Sequence, residues 1–384
     1  MFAYLTAGES HGPALVGILD GVPAGLKIDR ERVDAALVQR QGGYGRGGRM
    51  TIEADRVEFL AGLRGGRTLG SPIAVIIRNR DFENVRALMD PHTGGGEPLT
   101  KPRPGHADYA GALKYRHRDL RDVLERASAR ETAMRVCLGA ICGEFLRELG
   151  IETSSYVTRI GDVEAADDGA DQSKVDASPV RCPHESASAA MIAAIDAAGA
   201  AGDTLGGQYV VRITGLQAGI GSNRQPQTRL DAILAGALMS VQTVKAVEVG
   251  LGAGIAHRAG SRAHDTFEMR DGGVGRTSNR AGGVEGGMSN GEPVLLRVSV
   301  KPLATLQRPL PSVDLAAGQE APATVVRSDV CVVPAASLIG EAMVRLALMQ
   351  PVLEKYGGDS MDETRDNFER SRAAAKELFA QRQR

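Results

Sequence analysis

The chain has 384 residues, 42% of them hydrophobic, enough to bury a large core as one big domain or two intimate halves. A net charge of −1, 4% aromatic content and the lack of tryptophan supply neither a basic field nor a stacking surface, so a nucleic-acid binder is disfavoured. With no apolar run of about 18 residues and no basic-then-apolar leader pattern, the expectation is no membrane span, no secretion and a cytoplasmic protein.

In chain order, residues 14 to 20 read as a first strand, short and bounded by Pro13 and Gly21. The segments 41 to 48, 94 to 96 and 272 to 291 are too glycine-rich for regular elements and are expected to be functional loops. Residues 73 to 77 are a second strand candidate. From Ser128 to Leu149, the residues Met134, Cys137, Leu138, Ile141, Phe145 and Leu149 recur at three- and four-residue steps, a single helical stripe closed by Gly150. Ser128 and Glu131 have the spacing of a capping box at its start. The Ala-, Asp- and Ser-rich stretch from 163 to 203 reads as a surface connection ending in an Ala-rich helix. Strands are expected again at 208 to 214, 244 to 249 and 294 to 300, and residues 335 to 350 form an apolar helix whose composition calls for burial on most sides.

An internal echo runs through this order. Val16, Gly21, Ala24 and Gly25 recur as Val210, Gly215, Ala218 and Gly219, and the helix starts Val33-Asp34-Ala35-Ala36-Leu37 and Leu230-Asp231-Ala232-Ile233-Leu234 follow each. Strand, Gly-x-x-Ala-Gly turn and helix in the same order support two related halves around a pseudo-twofold core.

Of the 46 basic residues only eight are lysine. Genomic composition explains an arginine excess as well as ligand binding does, so each position is weighed separately. Arg40, Arg46 and Arg49 punctuate one Gly-rich loop; their mutual repulsion suggests a neutralising anion, while a solvated basic loop fits the same residues. His11 between Ser10 and Gly12, and His106 after Pro104-Gly105, sit in tight loops where an imidazole can exchange protons near neutrality. Lys301-Pro302-Leu303-Ala304-Thr305 and Arg327-Ser328-Asp329 each follow a strand, where ligand contacts and ordinary turns are both common. The four cysteines lack C-x-x-C spacing and read as reduced structural thiols, with no metal site. No G-x-x-x-x-G-K-[ST] loop supports a nucleotide enzyme.

The blocks Gly8-Glu9-Ser10-His11-Gly12-Pro13, Arg103-Pro104-Gly105-His106, Arg126-Ala127-Ser128-Ala129-Arg130-Glu131-Thr132-Ala133 and Arg327-Ser328-Asp329 resemble, in this order, the signature blocks of the chorismate synthase family, over a span from residue 4 to about residue 362. The resemblance implies an α+β protein, a β-α-β sandwich with central helices between antiparallel sheets. With the echo, the expectation is one domain over 1–384 with pseudo-repeat halves at about 1–160 and 205–350. It further implies a lyase that makes chorismate with reduced FMN and no net redox change, NADPH as a reductant, and a homotetramer. By residue, it implies proton transfer by His11 to the leaving phosphate and by His106 to the flavin, with Asp329 beside the reacting edge. Ser10, Arg49, Arg130 and Arg327 are then substrate contacts. Arg40 and Arg46 would meet the nicotinamide nucleotide, and Ser128, Ala129, Arg130, Gln242, Thr243, Gly286, Lys301, Pro302, Leu303, Ala304, Thr305 and Arg327 the flavin. Gln242-Thr243 replaces an Asn-Ala pair associated with many members of that family.

Overall fold

A computed structural model describes residues 1–47, 54–167, 169–270, 273–326 and 328–380. The fold is of mixed α+β class. Strands β1 (Ala3–Ala7), β2 (Ala14–Asp20), β3 (Glu58–Ala61) and β4 (Ile73–Arg78) form an antiparallel sheet in the order β1-β2-β4-β3. A second antiparallel sheet has β5 (Glu152–Ile160), β6 (Val163–Glu164), β7 (Gly207–Thr214), β8 (Val244–Val249) and β9 (Val294–Val300) in the order β8-β9-β7-β5-β6. Period-two burial makes the first sheet one-sided: Leu15 and Leu19 of β2 and Ile73, Val75 and Ile77 of β4 are buried, while Val16 and Ile18 face outward.

The helices that matter for the site are α1 (Arg30–Gln41), α2 (Phe82–Met89), α3 (Asp108–Tyr115), α4 (Arg121–Ala127), α5 (Thr132–Glu148), α6 (Leu230–Met239) and α7 (Val333–Tyr356). Helix α5 rests on β2 and α1, α7 rests on β5 and β7, and α5 and α7 pack on each other. Their crossing is tight because Gly139 presents no side chain to Ala342: a Cβ there would lie 2.6 Å from the Ala342 carbonyl oxygen. One hydrophobic cluster includes Leu15, Met134, Leu138, Val211, Leu296 and Leu346, so residues of both sheets and both helices share it.

Helix α7 is long and apolar enough to cross a membrane by length and composition alone, but 72% of its most apolar window is buried within the fold, as expected of a helix covered on most sides. It also outruns the expected 335–350. Pro334 sits in its first turn, where a missing N–H is harmless, and Pro351 is accommodated inside the last turns. The Ala-rich helix ends the connecting stretch as expected, at Glu185–Ala200. The segment 272–291 is not merely loop, since it carries strands Gly273–Arg276, Val284–Glu285 and Met288–Ser289. The echoed glycines repeat in conformation, with φ of 84° and 85° at Gly21 and Gly25, and 76° and 87° at Gly215 and Gly219. All four cysteines are buried free thiols.

Candidate active site

A cleft of about 710 Å³ is lined by residues from eight stretches of chain. The β1–β2 loop brings Ser10 and His11, the end of α1 and its Gly-rich loop bring Arg40, Arg46 and Gly47, and the approach to α3 brings Arg103 and His106. The α4–α5 junction contributes Glu125, Ser128, Ala129 and Arg130, the segment flanking the β8–β9 pair contributes Gln242, Thr243, Lys301, Leu303, Ala304 and Thr305, and the approach to α7 contributes Ser328 and Asp329. The helix α2 and neighbouring residues add an apolar wall of Val85, Leu88, Met89, Leu99 and Leu124.

Both histidines are anchored through Nδ1 by a buried carboxylate. His11 Nδ1 lies 2.8 Å from Glu125 Oε1, and the His11 backbone N–H donates to Glu125 Oε2 at 2.7 Å. His106 Nδ1 donates to Asp108 Oδ1, and Arg103 grips the same carboxylate through Nε and Nη2 at 2.9 and 3.0 Å. Burial pushes the Asp108 carboxyl up, but the bonds from His106 and Arg103 outweigh it and hold the group well below the usual carboxylate range. Arg103 Nη1 also donates to Thr305 Oγ1 at 2.9 Å, and Lys301 Nζ donates to the Gly105 carbonyl at 2.7 Å, which ties the His106 loop to the residues after β9. Burial, with the charge of Lys245, draws the Lys301 ammonium below its ordinary value.

The arginines are held in place before any ligand arrives. Arg40, 3% exposed, donates to the Ala129 carbonyl and the Thr132 hydroxyl, and its Nη1 is buried without a hydrogen-bond partner among the described residues. Burial and the positive fields of Arg46 and Arg130 lower its guanidinium to about 9, so it stays charged at neutral pH. Arg130 donates to Asp55 at 2.7 Å and to Asn79 at 2.9 Å. Asp329 accepts from the Gly47 N–H at 2.6 Å and pairs with Arg46 at 2.8 Å. Arg46 is thus a cationic partner of Asp329; Arg49 and Arg327, both expected at the site, lie outside the described residues.

Ser128 does cap, accepting from Arg130 N at 3.3 Å, but the capping box is not completed. Glu131 turns instead to Arg135 and to the Gln242 amide, and a 3-10 turn at Ala129–Glu131 precedes α5. That bond leaves Gln242 Oε1 buried and without a hydrogen-bond partner among the described residues. Thr243 has φ of 77°, a left-handed backbone that costs a β-branched residue about 1–3 kcal/mol. The Lys301 N–H donates to its carbonyl and pins it there. Two expected residues are not among those lining the cleft: Pro302 lies between lining neighbours, and Gly286 sits in the turn between Val284–Glu285 and Met288–Ser289. Among the described residues, glycines 94–96 and those of 273–291 do not line it either. Sequence reading missed Asp55, Asn79, Arg103, Asp108, Glu125 and Glu131. Arg103 and Asp108 flank His106 closely enough to have been suspected, whereas Glu125 stands 114 residues from His11 with no local signal.

A family model described as chorismate synthase matches residues 2–353. The chain is 52% identical to a chorismate synthase of Desulforudis audaxviator over 378 residues, covering 96% of this chain and 97% of the relative. It is 51% identical to one of Rubrobacter xylanophilus over 372 residues, covering 96% of each. A crystal structure of a chorismate synthase superposes with a TM-score of 0.80 at 38% identity, covering 98% of both chains.

Proposed function

The chain belongs to the chorismate synthase family, and on that premise we propose that the cleft holding His11, His106 and Asp329 is its active site. The reaction is the anti 1,4-elimination of phosphate and a proton from 5-enolpyruvylshikimate 3-phosphate, giving chorismate, and makes the chain a carbon–oxygen lyase of aromatic amino-acid biosynthesis. The observation that carries the assignment is the pairing, in one cleft, of two carboxylate-anchored histidines with a buried guanidinium whose Nη1 has no partner among the described residues. Such a cleft suits a multiply anionic substrate that must lose a proton and a phosphate.

The residues present fit reduced FMN. Gln242 Oε1 offers a buried acceptor, Arg40 Nη1 a buried donor, and Lys301, Ser128, Ala129 and Arg130 border the same space. Leu303, Ala304 and Thr305, with Thr243, Pro302, Gly286 and Arg327, complete the proposed flavin set, and Ser10, Arg49, Arg130 and Arg327 the substrate set. When bound, reduced FMN supplies transient electron donation with no net redox change. The chain itself manages protons: His11 gives one to the leaving phosphate, His106 serves the flavin side, and Asp329 accepts a proton in the cleft.

NADPH, meeting Arg40 and Arg46, is the proposed reductant, and the cytoplasm the proposed compartment. The sandwich reading, one domain over 1–384 with halves at about 1–160 and 205–350, is supported by the repeated glycine conformations and by helices in contact with both sheets. A homotetramer is supported by the outward face of the first sheet, where Leu5, Val16, Ile18 and Leu60 are exposed together. The deciding experiment counts chorismate formed per reduced FMN under strict anaerobiosis. Many turnovers per flavin are expected; a ceiling of one, or full activity with oxidised FMN, would overturn the cofactor reading.

A further inference from the structure

The contact between His11 and Glu125 has a geometry that specifies which ring nitrogen can trade protons. The Glu125 carboxylate is buried, and among the described residues its side-chain hydrogen bonds all go to His11. Oε2 accepts the His11 backbone N–H at 2.7 Å, while Oε1 lies 2.8 Å from Nδ1. An ionised carboxylate only accepts, so Nδ1 must carry a hydrogen. The loop is fastened to the same residue by its backbone, since the Ser10 N–H donates to the Glu125 carbonyl at 3.0 Å. On the other side of the ring, Nε2 is 3.9 Å from Asp81 Oδ2, beyond hydrogen-bond distance.

We propose that Glu125 is a positioning residue that holds His11 as its Nδ1–H form, so that proton exchange with the leaving phosphate runs through Nε2. This rests on the reading of His11 as the proton donor to that phosphate. In each cycle Nε2–H gives its proton and is left with a lone pair, while the Nδ1–H bond to Glu125 is kept throughout. The imidazole is therefore never asked to become an anion. A carboxylate behind a histidine is used in this way by other proton-transfer sites, where replacing it by an amide stabilises the wrong tautomer and lowers turnover by about 10⁴-fold.

A clamp that merely fixed the loop would be a different matter, and Glu125→Gln separates the two. The His11 backbone N–H can only donate, so a glutamine must turn its carbonyl oxygen toward it. That keeps the loop clamp and places the amide NH₂ against Nδ1, which must then accept, driving the hydrogen to Nε2. The substitution thus preserves the structural contact and inverts the tautomer.

The test uses the full chain labelled with ¹⁵N-histidine, with the His11 signals assigned by their loss in His11→Ala. Under alkaline conditions the parent should show Nδ1 protonated and Nε2 bare, and Glu125→Gln the reverse. The variant's kcat should fall by about 10²-fold or more, within the range of lost acid–base catalysis. Its KM and unfolding midpoint should stay near the parent's, and Glu125→Asp, which restores an acceptor-only group, should recover part of kcat. An unchanged His11 tautomer in Glu125→Gln, or parental kcat there while His11→Ala is inactive, would overturn the proposal and leave the His11 role standing. Parental turnover in His11→Ala would remove the His11 role and the proposal with it. Should Glu125→Gln prove unstable, the Glu125→Asp spectrum decides: loss of the Nδ1–H form together with full kcat counts against the proposal.

Discussion

Replacing Arg40 by methionine should cripple ligand binding while leaving the free protein about as stable as before. Its guanidinium is lowered from 12.5 to about 9, a shift that corresponds to a cost on the order of 5 kcal/mol for keeping the buried group charged. The sign is that of a base held below its ordinary value: the cost is complete below pH 9 and lifts only above it, so it is fully present at neutrality. Against it stand the bonds to the Ala129 carbonyl and Thr132 hydroxyl. The methionine side chain would break those, but the Thr132 hydroxyl already donates to the Ala129 carbonyl at 2.6 Å, so neither group is left wholly unpaired. The two effects roughly offset, and the denaturation midpoint of the free protein should move by no more than about 1 kcal/mol equivalent. An anion reaching Nη1 gains a charge-assisted bond, about 1.5–3 kcal/mol, so the variant should bind FMN or the phosphorylated substrate about 10- to 150-fold more weakly. Calorimetric titration of each ligand, beside urea unfolding of the free protein, checks both halves. A variant that loses 3 kcal/mol or more of stability while keeping parental affinities would show that Arg40 is a structural strut and refute the anion-site reasoning.

Asp329→Asn should retain ligand binding but slow the chemical step by about 10²–10⁴-fold, because the amide keeps the shape and cannot accept a proton; parental single-turnover kinetics with reduced FMN prebound would exclude the role. The Arg103–Asp108 pair predicts an acid limb of stability. Asp108 is held below its unfolded value, so its contribution is present above the usual carboxylate range and is lost as pH falls below about 4. Asp108→Asn should cost about 3–5 kcal/mol near neutrality by leaving Arg103 buried and uncompensated, and should flatten stability between neutral and acid pH. Urea midpoints measured across that range would reveal an unaltered acid limb if the pair contributes nothing.

Local patterning made most of the framework readable. The strands expected at 14–20, 244–249 and 294–300 are Ala14–Asp20, Val244–Val249 and Val294–Val300, since short apolar runs between turn residues have few other ways to bury themselves. Helix α7 runs past the expected end at residue 350, where a proline would ordinarily stop it, because Pro351 is packed into the core and tertiary contacts outweigh the missing bond. The capping box at Ser128 and Glu131 had the right spacing, yet a carboxylate takes the strongest donors within reach, and Arg135 and Gln242 are both there. Asp329 likewise pairs with Arg46, 283 residues away, a partner that no window along the chain could offer.

The two histidine units differ in how the fold makes them, and that difference bears on how the site assembles. His106, Arg103 and Asp108 lie within six residues of one another, so their network is built into one loop and the start of α3. The His11 unit exists only once the β1–β2 loop docks on α4. Besides Glu125, Arg126 holds that docking: its guanidinium donates to the Gly8 carbonyl at 3.1 Å and to the Thr6 carbonyl at 3.0 Å. Consecutive residues of α4 therefore do separate jobs, Arg126 fastening the end of β1 and Glu125 orienting the imidazole that follows it. Because β1 pairs only with β2 among the described residues, the strand that carries this loop sits at the sheet edge with one described strand to hold it. The strap from α4 supplies the second restraint, and the same few contacts that hold an edge strand also set the geometry of His11.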